Sequence, residues 1–137
     1  LVNGGKIQIF GGQKNKLDHL NMYNQVDLGL DTFPYNGVTT SFEAIWMGVP
    51  VLTLKGSNFI SRCGESINTN LGLNSFIAED KEDYIKKAIN FSNKTETIEG
   101  MRKNLREYSK KSILFQTKKF TDEFSIKLKE LWLKKIS

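Results

Sequence analysis

The chain has 137 residues, 39% of them hydrophobic and 26% charged, a net charge of +5 and one cysteine, Cys63. This is the composition of a globular protein with enough apolar residues for a core, either one small domain or a piece of a larger one. It excludes an internal disulfide and a cysteine-based zinc site, and no apolar run is long enough to span a bilayer.

The excess charge is lysine in the last third, interleaved with acids, which reads as a solvated face rather than a nucleic-acid surface. No segment of this stretch reads as a signal peptide, and a cytoplasmic location is expected. Leu1 to Gly5 has no initiator methionine and leads straight into a strand, so a longer parent protein is expected.

Lys6 to Phe10 reads as that strand, stopped by Gly11-Gly12. Asn15 to Asn24 follows as a short helix with Leu17, Leu20 and Tyr23 on one face and Asn15 as its cap. His19, the only histidine, lies in it. It is either an ordinary surface or half-buried residue, or an imidazole facing the same crevice as the next helix. Val26 to Leu30 is an apolar strand ending at Asp31, and Pro34 with Asn36-Gly37 supplies turn chemistry.

Thr39-Thr40-Ser41 then opens a helix, because hydroxyl side chains suit an N-terminus. Phe42, Ile45 and Trp46 give it an apolar stripe, and Gly48 and Pro50 end it. Val51 to Leu54 is the next strand. Two apolar strands joined by a helix make a parallel βαβ unit.

A helix from about Phe59 to Asn70 contains Arg62, which either pairs a phosphate or bonds an acid on a neighbouring helix. Cys63 reads as a small buried residue. Leu71-Gly72-Leu73 is a glycine cap, and Phe76 to Ala78 a short edge strand. Asp80 caps a helix through Phe91, and another spans Thr95 to Lys110. The last runs from Thr117 to Lys135, where Phe120, Phe124, Leu128, Leu131 and Trp132 form a stripe expected to pack in the core. No internal repeat or low-complexity segment is evident.

In open parallel sheets ligands sit beyond the carboxyl ends of the strands. The loop from Thr32 to Val38 lies there, and the helix behind it offers N–H groups, a positive dipole end and hydroxyls, which suits a phosphate. Glu43, one turn in, is placed to accept from a sugar hydroxyl. Two further roles compete for these acids and hydroxyls. Thr40-x-x-Glu43 has the spacing of a capping box, which would satisfy the helix's own N–H groups. Asp27 and Asp31 could be metal ligands, but no third ligand accompanies them. A Walker loop is absent.

The segment Val26-Asp27-x-x-Leu30-Asp31-Thr32-Phe33-Pro34-Tyr35-Asn36-Gly37-x-Thr39-Thr40, with Glu43-Ala44-x-Trp46-Met47-Gly48-Val49-Pro50-Val51-x-Thr53-Leu54, resembles the C-terminal catalytic region of the SPINDLY and O-linked N-acetylglucosamine transferase family. Ser61-Arg62-x-Gly64, Leu71-Gly72-Leu73 and Leu131-Trp132 extend the likeness over Lys6 to Lys135.

The resemblance implies an α/β, Rossmann-like three-layer fold. Residues 1–137 would be part of the C-terminal lobe of a GT-B glycosyltransferase, its second half with the C-terminal helices. It also implies an inverting transferase that moves a sugar, N-acetylglucosamine from UDP-N-acetylglucosamine above all, to Ser/Thr hydroxyls of proteins. By the same resemblance Thr39 and Thr40 would contact the diphosphate, Glu43 the ribose and His19 the base, with Lys16 leading to it. Asn36 and Gly37 complete the candidate donor site. Val38 stands where animal members have histidine, and Met22 where some have arginine.

The expected partners are the nucleotide-sugar donor, a protein acceptor, an N-terminal lobe and tetratricopeptide repeats elsewhere in the parent protein. No metal cofactor, nucleic acid or membrane is expected. No general base is identified in this stretch; the family places acceptor-binding groups in the other lobe and a leaving-group lysine earlier in this one. The alternatives are a non-catalytic nucleotide- or protein-binding module of the same fold, and a GT-B transferase acting on lipids or small molecules.

Overall fold

The computed structural model describes residue 12 and residues 15–136. The strand expected at Lys6 to Phe10 lies outside the described residues. Helix α1 is Lys16–Met22, capped by Asn15, whose side chain accepts from the Asp18 N–H. Strand β1 is Gly29–Leu30, α2 is Thr39–Trp46, β2 is Val51–Leu54 and α3 is Cys63–Asn70. Strand β3 is Ile77–Ala78, followed by α4 (Lys81–Ser92), α5 (Thr95–Lys110) and α6 (Thr117–Ile136).

The three strands form a parallel sheet in the order β1-β2-β3. Gly29 pairs with Val51 and Leu30 with Leu52, while Thr53 pairs with Ile77 and Leu54 with Ala78. The expected βαβ unit and edge strand are therefore present. Strand β1 is shorter than expected because the turn Tyr23–Gln25 precedes it and Val26 N–H is already bonded to the Tyr23 carbonyl.

Helix α2 ends in a Schellman motif: Gly48 N–H donates to the Ile45 carbonyl at 3.0 Å and Val49 N–H to that of Ala44 at 2.8 Å. Gly48 sits at φ +84°, which a side chain rarely adopts. Gly72 closes α3 in the same way, with φ +67°. Asp80 caps α4 by accepting from Asp83 N–H at 2.8 Å, as expected.

Ile45, Leu52, Ile67, Leu71, Phe76 and Leu105 are the centre of the main core, contributed by α2, β2, α3 with its C-cap, the turn Asn74–Phe76 and α5. Phe76 and Phe91 stack face to face at 4.2 Å. Asn68 is a polar member of this interior: it is 1% exposed, and its Nδ2 donates to the Val51 and Phe76 carbonyls.

The expectation for the last helix fails. The stripe Phe120, Phe124, Leu128, Leu131 and Trp132 is not in the core; all five side chains are exposed, and α6 has no buried residue. The core is already filled by α2 to α5, and α6 meets the rest of the described chain chiefly at the turn Ile113–Phe115. Its lysines pair along the helix with acids, Lys118 with Asp122 and Lys127 with Glu130. No helix among the described residues is long and apolar enough to cross a membrane.

Candidate functional site

The strands deliver the loop 31–38 to the carboxyl end of the sheet, and α2 starts at its far end. Val38 is the N-cap of α2 and no side chain caps it. The capping box Thr40-x-x-Glu43 does not form, because Thr40 is the second residue inside the helix rather than its cap. The first-turn N–H groups are thus left without a side-chain partner, and Thr39 and Thr40 are exposed beside them. Such a terminus carries a positive dipole end and favours an anion.

Glu43, one turn along, faces α1 instead. Its Oε2 lies 3.0 Å from His19 Nε2, with the two side chains 25% and 42% exposed. Tyr23 adds to the group: its ring meets His19 edge to face at 5.8 Å, and its hydroxyl donates to the Thr40 carbonyl at 3.4 Å. Burial, and then the negative charge of Glu43, push the Tyr23 hydroxyl above its usual pKa, so it remains a donor. Lys16 is exposed at the first residue of α1, one turn before His19. A cavity of about 200 Å³, lined by Tyr23, Asp31, Gly37, Thr40 and Ser41, opens beside the start of α2.

Asn36 and Gly37 serve this arrangement from behind. Asn36 is 1% exposed; its Nδ2 donates to the Thr32 carbonyl and its Oδ1 accepts from Gly64 N–H. Gly37 N–H donates to Asp31 Oδ1 at 2.7 Å. Asp31 is therefore a buried scaffold residue, whereas Asp27 pairs with Arg102 on α5 at 2.6 Å. Asp27 and Asp31, which lack a third ligand in the sequence, thus have separate partners here. Burial raises the pKa of Asp31, against the lowering effect of the Gly37 and Thr53 hydrogen bonds.

Arg62, at the residue just before α3, donates from Nε to Glu65 Oε2 at 2.9 Å, so its acidic partner lies on the helix it leads into rather than on a neighbouring one. Cys63 is half-buried, and its thiol donates to the Phe59 carbonyl. Both line an open groove of about 770 Å³ with Val38, Phe42, Phe59 and Leu114.

Sequence reasoning brought His19, Glu43, Thr39 and Thr40 to one place, and the structure does the same. It missed Tyr23, read only as an apolar member of α1, and it missed the part played by Asp31. For Asp31 there was a signal: Thr53 interrupts an apolar strand, and a buried hydroxyl needs a partner.

The model of glycosyl transferase family 41 matches residues 3–124. The chain is similar to probable UDP-N-acetylglucosamine–peptide N-acetylglucosaminyltransferases SPINDLY from Solanum lycopersicum and Hordeum vulgare. Each is 35% identical over 115 residues, which is 84% of this chain and 12% of the relative. A Caenorhabditis elegans UDP-N-acetylglucosamine–peptide N-acetylglucosaminyltransferase is 25% identical over 124 residues, 90% of this chain and 11% of its own length.

Among solved structures, a point mutant of the Thermobaculum terrenum O-GlcNAc transferase superposes with a TM-score of 0.79 at 35% identity, covering 86% of this chain and 23% of the other. The chain thus spans about 12% of the length of the plant relatives it matches. With a parallel α/β fold shared with that transferase and a family match over most of its length, the chain belongs to glycosyl transferase family 41.

Proposed function

We propose that this chain is the donor-binding part of an inverting glycosyltransferase that moves N-acetylglucosamine from UDP-N-acetylglucosamine to Ser/Thr hydroxyls of proteins. Residues 1–137 form the second half of its C-terminal lobe. The remaining lobe and tetratricopeptide repeats belong to the parent protein, which works in the cytoplasm.

The observation that carries this is the start of α2, which no side chain caps, with Glu43 one turn along it and His19 of α1 3.0 Å from that carboxylate; the arrangement suits an anion beside a sugar hydroxyl. Thr39 and Thr40, with the first N–H groups of α2, hold the diphosphate. Glu43 binds the ribose, His19 contacts the base, and Lys16 approaches along α1. Asn36 and Gly37 shape the loop.

As the glycosidic bond breaks, negative charge builds on the departing diphosphate. Fixed hydroxyls and N–H groups oppose that charge without reorganising, the work a metal does elsewhere. Losing one such donor costs about 3 kcal/mol of barrier, so Thr40→Ala in the full-length protein lowers turnover about a hundredfold. Unchanged turnover in a folded Thr40→Ala protein refutes the assignment. Titration of UDP and GDP against the full-length protein identifies the base.

A further inference from the structure

An exposed loop holds an anion well only if its N–H groups already point the right way. The loop 31–38 has an internal device that does this. Gly37 is gripped from both sides: its N–H donates to Asp31 Oδ1 at 2.7 Å, and its carbonyl accepts from Ser41 Oγ at 2.9 Å. These bonds fix the two peptide planes that flank Gly37. The second plane carries the Val38 N–H, the first group of the run that leads into α2.

Asp31 is itself held at every polar atom. Its N–H donates to the Leu52 carbonyl at 2.9 Å, its carbonyl accepts from the Tyr84 hydroxyl at 2.8 Å, and its Oδ2 accepts from Thr53 Oγ1 at 2.9 Å. Thr53 is fully buried on β2. Gly64 on α3 closes the back, where an added Cβ would lie 2.7 Å from Asp31 Oδ2.

Among the described residues no cation is paired with this carboxylate. Burying it without one is costly. A charge-assisted bond to Gly37, shorter and stronger than a neutral one, is what it returns.

We propose that Asp31 and Ser41 are positioning residues that clamp Gly37 and so aim the N–H groups at the start of α2 toward the diphosphate. This rests on α2 being the diphosphate site. Neither side chain touches the donor; both act through the loop backbone. The clamp matters for ligands that carry phosphate and not for those that lack it.

The test compares UDP and GDP with uridine and guanosine, titrated against the full-length protein. Asp31→Ala is expected to weaken diphosphate affinity about tenfold or more, the size of a lost bond to a charged group, and to leave nucleoside affinity within about twofold. Asp31→Asn keeps an acceptor for Gly37 and restores most of the loss. Ser41→Ala cuts the other half of the clamp and gives the same selective loss, which decides the matter if Asp31→Ala does not fold.

Diphosphate affinity unchanged in folded Asp31→Ala or in Ser41→Ala overturns the clamp. So does an equal loss for diphosphates and nucleosides, which marks general loosening. If the unmodified protein binds neither UDP nor GDP, the diphosphate site itself is wrong, and the clamp falls with it.

Discussion

His19 Nε2 lies 3.0 Å from Glu43 Oε2, and this contact ties α1 to α2 across 24 residues of sequence. A partly exposed pair of this kind contributes less than about 1 kcal/mol to stability. It also means that Glu43 is not a cap. Glu43→Ala is therefore expected to leave the unfolding free energy within about 0.5 kcal/mol. The same change removes a charged acceptor and weakens donor affinity about tenfold. Titration and thermal melting of one variant separate the two effects. Unchanged donor affinity in a folded Glu43→Ala protein would remove Glu43 from the donor site.

Gly48 has φ +84°, and a Cβ built on it would lie 2.7 Å from the Arg102 carbonyl oxygen of α5. Strain and collision act together there, because the crowding atom is backbone and cannot swing away. Gly48→Ala is expected to destabilise the fold by about 1–3 kcal/mol. Denaturant titration reads this as a lower midpoint at constant slope.

Much of this was legible in the sequence where the signals are local. Thr95–Lys110 is helical at the expected bounds, Asp80 caps α4, and Gly48 ends α2. Turn chemistry, caps and periodicity are short-range properties, and they fix elements well. What was not legible depends on partners distant in sequence. Asp31 bonds Thr53 and Tyr84, which lie 22 and 53 residues away, and spacing alone does not reveal such contacts. Asn36 looked like a turn residue open to a ligand, but its amide is turned inward to Thr32 and Gly64. The α6 stripe has helical periodicity, and periodicity reports that a face is apolar without naming what covers it.

Asn68 ties β2 to the turn before β3 by donating to the Val51 carbonyl at 2.9 Å and the Phe76 carbonyl at 3.1 Å, inside the core. An apolar side chain of similar size keeps the volume and removes both bonds from buried carbonyls. Asn68→Leu is expected to cost about 3 kcal/mol, since each unmatched buried group costs about 1–3 kcal/mol. Chemical denaturation measures it. A stability equal to the parent would mean that water or a neighbour takes over both carbonyls.

The Tyr84 hydroxyl donates to the Asp31 carbonyl, and burial, then the Asp31 charge, push its pKa from 10.0 up to about 12. The folded pKa lies above the unfolded one, so the native state favours the protonated form. The stability this supplies is complete below pH 10 and is lost as pH rises toward about 12. The lost amount is at most about 2–3 kcal/mol, since each pH unit between the unfolded and folded pKa is worth about 1.4 kcal/mol before solvent screening reduces it. Tyr84→Phe lacks both the hydrogen bond and the titration. Below pH 10 it is therefore expected to be less stable than the parent, and the gap should narrow as pH rises through that window. Every other ionisable group is common to both proteins and cancels in the difference. A gap independent of pH would mean that Tyr84 ionises no differently in the folded and unfolded chains, and the loop 31–38 would then owe nothing to its proton.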